Sequence, residues 1–227
     1  MLLLVTDTSG KQGFVGLVRA MTDPELAVKI EVIEQVPLAG GTFSAQLVPQ
    51  IAGLLQKHSF RKTDIDAFIV VAGPGSFTGL RVGLAAIKAL AEILQKPIVP
   101  VSLLEVVAVA GNAEGNVLSA LDAGRGEIYV GEYQVHGDTA SATNEQLMTK
   151  KDLPSVAEGR IVTTTDASLA QIMRDQALTV YLVTIGAEAV CRVGWYKLKV
   201  GETAAPEQLE ANYIRRSDAE IFSKPTP

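Results

Sequence analysis

Apolar residues come in two rhythms along this chain, and each predicts an element. Residues 2–6 form a short unbroken apolar run, the mark of a buried strand, and the polar turn Asp7-Thr8-Ser9-Gly10 follows. Residues 14–20 and 27–36 read as two further strands, with Asp23-Pro24 as the turn between them. In the second of these, Val28, Ile30, Val32 and Glu34 share one face while Lys29, Glu31 and Ile33 share the other, the pattern of a one-sided or edge strand. Strands joined by such short turns make an antiparallel meander. The rhythm then changes. Phe43, Leu47, Val48, Ile51, Leu54 and Leu55 fall at helical spacing, and Pro49 inside that stretch predicts a kink or a late helix start. Residues 65–72 read as a buried strand, 73–79 as a glycine-rich turn, 78–95 as a strong helix closed by Lys96-Pro97, 98–101 as a strand and 103–110 as a helix.

The second half repeats the opening. A shift of 115 residues lays Ala120-Leu121-Asp122-Ala123-Gly124-Arg125 on Val5-Thr6-Asp7-Thr8-Ser9-Gly10, and without a gap Tyr129-Val130-Gly131 falls on Phe14-Val15-Gly16. Each copy has a strand, an Asp at its end, a turn of small residues and a returning strand. Beyond Gln134 the signal weakens: residues 136–144 look like a polar loop, 161–165 and 181–185 like strands, 168–176 and 186–200 like helices, and the segment ending in Lys224-Pro225 like a mobile tail. A meander, helix, strand and helix, repeated with an Asp turn opening each copy, is the plan of the α/β actin-like/hexokinase/Hsp70 (ribonuclease H-like) architecture, with two mixed-sheet subdomains. The expected halves are residues 1–105 and a degenerate 106–227. In that plan the two Asp turns flank a cleft.

Composition narrows the function. The chain has 227 residues, 48% of them hydrophobic, so it can bury a real core and is not disordered. A net charge of −5 argues against a stand-alone nucleic-acid binder. The single cysteine, Cys191, excludes an internal disulfide framework and reads as a small core residue. The two histidines, His58 and His136, lie far apart, which disfavours a His-rich zinc site. Residues 1–7 have no basic n-region and reach a charge at Asp7, and no run nears the roughly 18 apolar residues of a membrane span. The expected location is the cytoplasm, with no membrane contact.

The candidate chemistry centres on Gly73-Pro74-Gly75-Ser76-Phe77-Thr78-Gly79-Leu80-Arg81-Val82-Gly83. It follows a strand and opens a helix, where free N–H groups and the helix dipole favour an anion. Direct counting excludes a Walker loop, a dinucleotide loop and a nucleophile elbow. The segment is thus either a phosphate-binding turn of another kind or a tight turn N-capped by Ser76 or Thr78. Asp7 and Asp122 either hold a metal through water or stabilise their own turns. The helix after the loop has two apolar stripes: Leu80, Leu84, Ile87, Ala91 and Leu94, then Gly79, Gly83, Ala86, Leu90 and Ile93, with a narrow polar edge of Arg81, Lys88, Glu92 and Gln95. A helix apolar on nearly every side is buried on nearly every side, in its own chain or against another subunit. The second stripe is the expected partner interface. Near the end, Arg215 and Arg216 beside Tyr213 suit RNA phosphate, a partner carboxylate or a surface ion pair.

Several segments in order carry a resemblance: Asp7-Thr8-Ser9, the glycine-rich run 73–83, Val101-Ser102-Leu103-Leu104-Glu105, Leu121-Asp122-Ala123-Gly124-Arg125-Gly126-Glu127-Ile128-Tyr129 and Tyr213-Ile214-Arg215. Together they resemble the TsaB (YeaZ) family, the non-catalytic subunit of bacterial tRNA threonylcarbamoyladenosine synthase. The resemblance implies the duplicated actin-like fold. It also implies a relation to the TsaD-type catalytic subunit without that subunit's metal-binding histidines. Residues 101–110, which correspond to the histidine-bearing stretch, contain none, so older protease names are set aside. Three positions depart from the family: Gly124 where a second Arg is usual, Phe43-Ser44 where a His is usual nearby, and Ala211 where Pro often stands.

The implied role is a scaffold and activator that pairs with a TsaD-like subunit, joined by a TsaE-like ATPase and by tRNA through the complex. Alone, the chain is expected to homodimerise through the same helix. No cofactor of its own is implied, and ATP, ADP or Mg²⁺ would enter only within the complex. The rival is a small ATP-dependent phosphotransferase or ATPase of the hexokinase-like fold, with Asp7 and Asp122 on the metal and residues 73–79 on phosphate. A peptidase is a more distant alternative.

Overall fold

A computed structural model describes residues 1–23 and 27–215. The turn at Asp23-Pro24 and the segment from Arg216 onward, including the expected mobile tail, lie wholly or partly outside the described residues. The first half runs β1 (Leu2–Asp7), β2 (Gln12–Asp23), β3 (Ala27–Ala39), α1 (Phe43–Lys57), β4 (Ala67–Gly73), α2 (Phe77–Leu94), β5 (Ile98–Ser102) and α3 (Leu103–Ala110). The second runs β6 (Gly115–Gly124), β7 (Glu127–His136), β8 (Thr139–Thr149), α4 (Leu153–Ala157), β9 (Ile161–Thr164), α5 (Ala167–Arg174), β10 (Thr179–Leu182) and α6 (Ala187–Val200). The sheets have the strand orders β3-β2-β1-β4-β5 and β10-β9-β6-β7-β8. Each strand of the first sheet has its counterpart, in the same order, in the second. This is the duplicated actin-like α/β architecture expected from the sequence.

Strand alternation explains the layers. Along β1, Leu2 and Leu4 enter a core with α1 and α2, while Leu3 and Val5 enter the opposite core with α3 and α6. β4 does the same, with Phe68 and Val70 on one side and Ala67, Ile69 and Val71 on the other. Both strands are therefore covered on both faces, which is why they read as unbroken apolar runs. A bulge at Leu17/Val18 re-phases β3: Val28 and Ile30 pack toward α6, but Val36 and Leu38 pack toward α1. Glu34 therefore does not continue the face that Val28 and Ile30 begin.

In the middle of the molecule, α3 turns Val106 and Val109 to the first sheet and Leu104, Val107 and Ala108 to the second. Residue 105 thus lies within a helix shared by both halves. The late helix α6 packs back on β1, β2, β3, β4 and β5.

Three expectations change. Residues 139–144 are not loop but the start of β8, paired along β7 from His136↔Thr139 onward. β8 is an edge strand with little burial, so it lacks the apolar alternation that marks a strand. The gapless repeat slips by one residue: Asp7 pairs with Phe14, but Asp122 pairs with Ile128 and Tyr129 with Leu121. The counterpart of Phe14 is therefore Ile128, and the turn of the second copy is one residue shorter. Finally, α1 starts at Phe43 with Pro49 inside it, so there is no late start.

Candidate functional site

A cleft of about 1110 Å³ opens between the halves. On one side are Ser9, Gly10 and Lys11 from the β1–β2 turn, Gly40 and Gly41, the start of α1 at Phe43 and Ser44, and the loop and first turns of α2 from Pro74 to Val82. Facing them are Asp122, Ala123, Gly124, Arg125 and Tyr129, and along the edge run Asn212, Tyr213, Ile214 and Arg215. The two Asp turns and the glycine-rich loop, far apart in sequence, meet here as expected.

The loop is built by close backbone contact. The Gly73-Pro74 peptide is cis. The Ser76 N–H donates to the Ser9 carbonyl at 2.6 Å, tying the loop to the β1–β2 turn. A Cβ on Gly75 would collide with that same Ser9 carbonyl. Ser76 is the N-cap of α2, and its Oγ accepts from the Gly79 N–H at 3.3 Å. Phe77 and Thr78 open the helix on the cleft side.

The small residues of α2 point elsewhere than predicted. Gly79 and Gly83 are buried inside the chain, where added Cβ atoms would strike the Thr8 carbonyl and the Thr8 hydroxyl. Ala86 and Leu90 pack against the α1 side of the core. Only Ile93 of that stripe stands out, 69% exposed. The glycines serve a close approach of α2 to the β1 turn, so they are not a free helix-pairing surface. The exposed side of α2 carries Arg81, Ala85, Ala89, Glu92 and Ile93 instead.

The carboxylates are spent on their turns. Asp7 is buried, and its Oδ1 accepts from the Ser9 N–H at 2.8 Å and the Ser9 hydroxyl at 2.6 Å. Burial pushes its carboxyl up from the ordinary range, partly offset by those two bonds. Asp7 does not line the cleft. Asp122 does, but its Oδ1 is ion-paired with Lys150 at 2.8 Å and accepts from the Gly124 N–H at 3.2 Å. The pair does not present two free carboxylates to a common metal. Among the described residues no cluster of three His, Cys, Asp or Glu side chains could hold one.

Other candidates find structural partners. His58 caps the end of α1 and meets Glu34 at 2.7 Å. Cys191 is buried in the core, and burial pushes its thiol up to about 12. Arg215 forms an ion pair with Glu127, and Arg216 lies outside the described residues. Gly124 has a φ of +73°, a left-handed conformation that favours glycine. Ala211 packs against the core under α1 and α2.

Two groupings escaped the sequence reading. Glu145 of β8 accepts from Ser102 at 2.5 Å, from Asn212 Nδ2 at 2.6 Å and from the Tyr133 hydroxyl. At the cleft mouth the Arg81 guanidinium lies 3.5 Å from the Phe77 ring centre and donates to the Tyr213 hydroxyl at 3.1 Å. The partners come from distant segments, so no local spacing announces them.

The sequence from residue 36 to 172 matches the family model described as TsaD: tRNA N6-adenosine threonylcarbamoyltransferase. The chain is 33% identical over 135 residues to the tRNA threonylcarbamoyladenosine biosynthesis protein TsaB of Bacillus subtilis (strain 168), covering 59% of this chain and 56% of that protein. Thus this match spans little more than half the relative's length. It is 27% identical over 187 residues to the protein of the same name from Escherichia coli (strain K12), covering 77% of this chain and 81% of that one. Among solved structures, an uncharacterized protein with similarity to peptidase YeaZ from Pseudomonas aeruginosa superposes with a TM-score of 0.75 at 24% identity, covering 94% of this chain and 99% of that one. At that identity the likeness speaks for the fold.

Proposed function

We propose a function from a plain premise: this chain belongs to the TsaD-like family, in its TsaB (YeaZ) branch. It serves tRNA threonylcarbamoyladenosine biosynthesis as a non-catalytic subunit that docks on, and shapes, a TsaD-like catalytic partner. The partner would transfer the threonylcarbamoyl group to tRNA adenosine. A TsaE-like ATPase and tRNA would join through the complex.

One observation carries the docking role. From Phe43 to Gln56 the chain has no charged residue, although α1 is an outer helix. Before the exposed Lys57 that ends it, its exposed positions are Ser44, Ala45, Val48, Pro49, Ala52, Gly53 and Gln56, and Val48 is 53% exposed. Beside it, α2 exposes Ala85, Ala89 and Ile93, with Arg81 and Glu92 as the charged residues of that side. A solvent-facing helix ordinarily carries charge on its outer side. This pair instead offers a broad face of small and apolar residues, suited to close helix packing and to displacing water. The partner interface therefore moves from the predicted Gly79, Gly83, Ala86 and Leu90 to the outer faces of α1 and α2, with Ile93 kept. Without the partner, two copies of this chain would cover the same face.

The non-catalytic reading is supported by Asp7 and Asp122, each committed to its own turn, and by the lack of histidine in residues 101–110. The phosphotransferase reading needs both carboxylates aimed at one metal. The test is a reconstituted tRNA modification assay with each subunit omitted in turn, alongside co-purification with the TsaD-like protein. Product is expected only when both are present. Product without this chain, or turnover of ATP by this chain alone that vanishes in Asp7→Ala, would overturn the proposal.

A further inference from the structure

After α6 the chain does not simply leave the molecule. Ala204 pairs with Ile98 at the edge of the first sheet, its N–H donating at 2.8 Å. Leu209, 1% exposed, plugs the core beneath α1 and α2. The Asn212 N–H donates to the Ala72 carbonyl at 2.7 Å, at the end of β4, while its side-chain amide donates to Glu145 of β8 at 2.6 Å. One residue is therefore bonded to both halves. Tyr213 then lies against Phe77 of α2, ring centres 5.0 Å apart. Ile214 packs into the core of the second half, and Arg215 donates to the Ala123 carbonyl at 2.9 Å and pairs with Glu127 in the turn across the cleft.

We propose that residues 209–215 act as a clasp that holds the two halves at one cleft width, so that the chain itself, and not a bound ligand, sets that width. The bonds are of the kind that resist opening. Rotating the halves apart would pull a partly buried carboxylate from its donors and strip Arg215 of both a carbonyl and a carboxylate. Each loss leaves polar groups to find new partners. Ser102, on the first sheet, bonds the same Glu145 at 2.5 Å, so Glu145 is a second cross-link at the base of the clasp. The clasp also anchors the first turn of α2 through Tyr213, Phe77 and Arg81. This inference concerns the chain alone and stands apart from the docking role.

The test uses the full chain with spin labels at Lys62→Cys, on the first half and off the α1–α2 face, and Lys151→Cys, on the second, diluted with unlabelled chain so that only distances within one chain are read. Cys191 is buried with its thiol raised to about 12, so it does not compete for label. The parent should give one narrow distance distribution, unchanged by millimolar Mg-ATP. Asn212→Ala combined with Arg215→Ala should broaden or shift it by roughly twofold in width, as expected when a locked pair of states is released. Amide exchange in the 123–126 turn and the first turn of α2 should speed up about tenfold, with β1 and β4 unchanged. A folded double variant with the parent's distances and exchange rates overturns the clasp, as does a parent distribution that is already broad or that narrows with Mg-ATP. Should the double variant not fold, Arg215→Gln alone is read by exchange in the 123–126 turn, and unaltered protection there overturns the clasp equally.

Discussion

Glycine 79 lies against the carbonyl of Thr8 with no room for a Cβ, and the same holds for Gly83 against the Thr8 hydroxyl. Gly79→Ala should lower stability by about 1–3 kcal/mol, the usual cost of overpacking a tight contact, read as a fall in melting temperature. Gly53→Ala on the outer face of α1, where an added Cβ meets nothing within 4 Å, should not lower it. Asp7 offers a test by pH. Burial raises its folded value above the ordinary carboxylate range, so the native chain holds this proton more tightly than the unfolded one. The ionised form is penalised, and stability is lost as pH rises through that raised value. Asp7→Asn keeps an acceptor for the Ser9 N–H and removes the penalty. Its melting temperature relative to the parent should climb from acid to neutral pH, and a difference that stays flat or falls would contradict this assignment. The sequence singled out Gly79 and Gly83 but misjudged which way they face, while for Asp7 it left a metal and the turn as alternatives, and the structure shows the turn. Periodicity says which positions share a helix face, while a glycine gives no sign of which neighbour has come close to it.

Most elements were legible in sequence, and the clearest were those buried on both faces or strongly amphipathic, such as β1, β4, α1 and α2. The edge strand β8 was read in part as loop because its outward residues are polar and its pairing is with β7 alone. The short α4 carries too few residues to set up a helical rhythm. For function the informative pair is α1 and α2. Ala86 is partly buried against the α1 side of the core, so Ala86→Arg should lower the melting temperature. Ala89 is exposed, so Ala89→Arg should leave the melt intact yet place an unpaired charge in a dry contact with the partner. Such a charge costs several kcal/mol, and every ~1.4 kcal/mol is tenfold in affinity, so association should weaken by orders of magnitude in sedimentation. Equal melting losses in the two variants would remove the distinction between inner and outer faces.

At the scale of the molecule, duplication was visible in two short runs around Asp7 and Asp122, and the matching strand orders of the two sheets bear it out. What sequence could not supply was the joinery between the halves. Glu145 and Asn212 stand 67 positions apart and Arg215 and Glu127 stand 88 apart, so no local pattern links them. Three features of the whole converge on one role. The two halves are bonded together through Asn212, Glu145 and Arg215, Asp7 and Asp122 are held by their own turns, and α1 up to Gln56, with Ala85, Ala89 and Ile93 of α2, exposes small and apolar residues.

The most direct measurement is tRNA threonylcarbamoyladenosine formation in the reconstituted system, comparing Ala89→Arg with Asp7→Asn and Asp122→Asn at matched, verified folding. A docking subunit predicts that product formation collapses with Ala89→Arg and persists with both Asn variants. Full activity with Ala89→Arg, or its loss with either Asn variant while the partner still binds, would contradict that role and place the chemistry in the cleft.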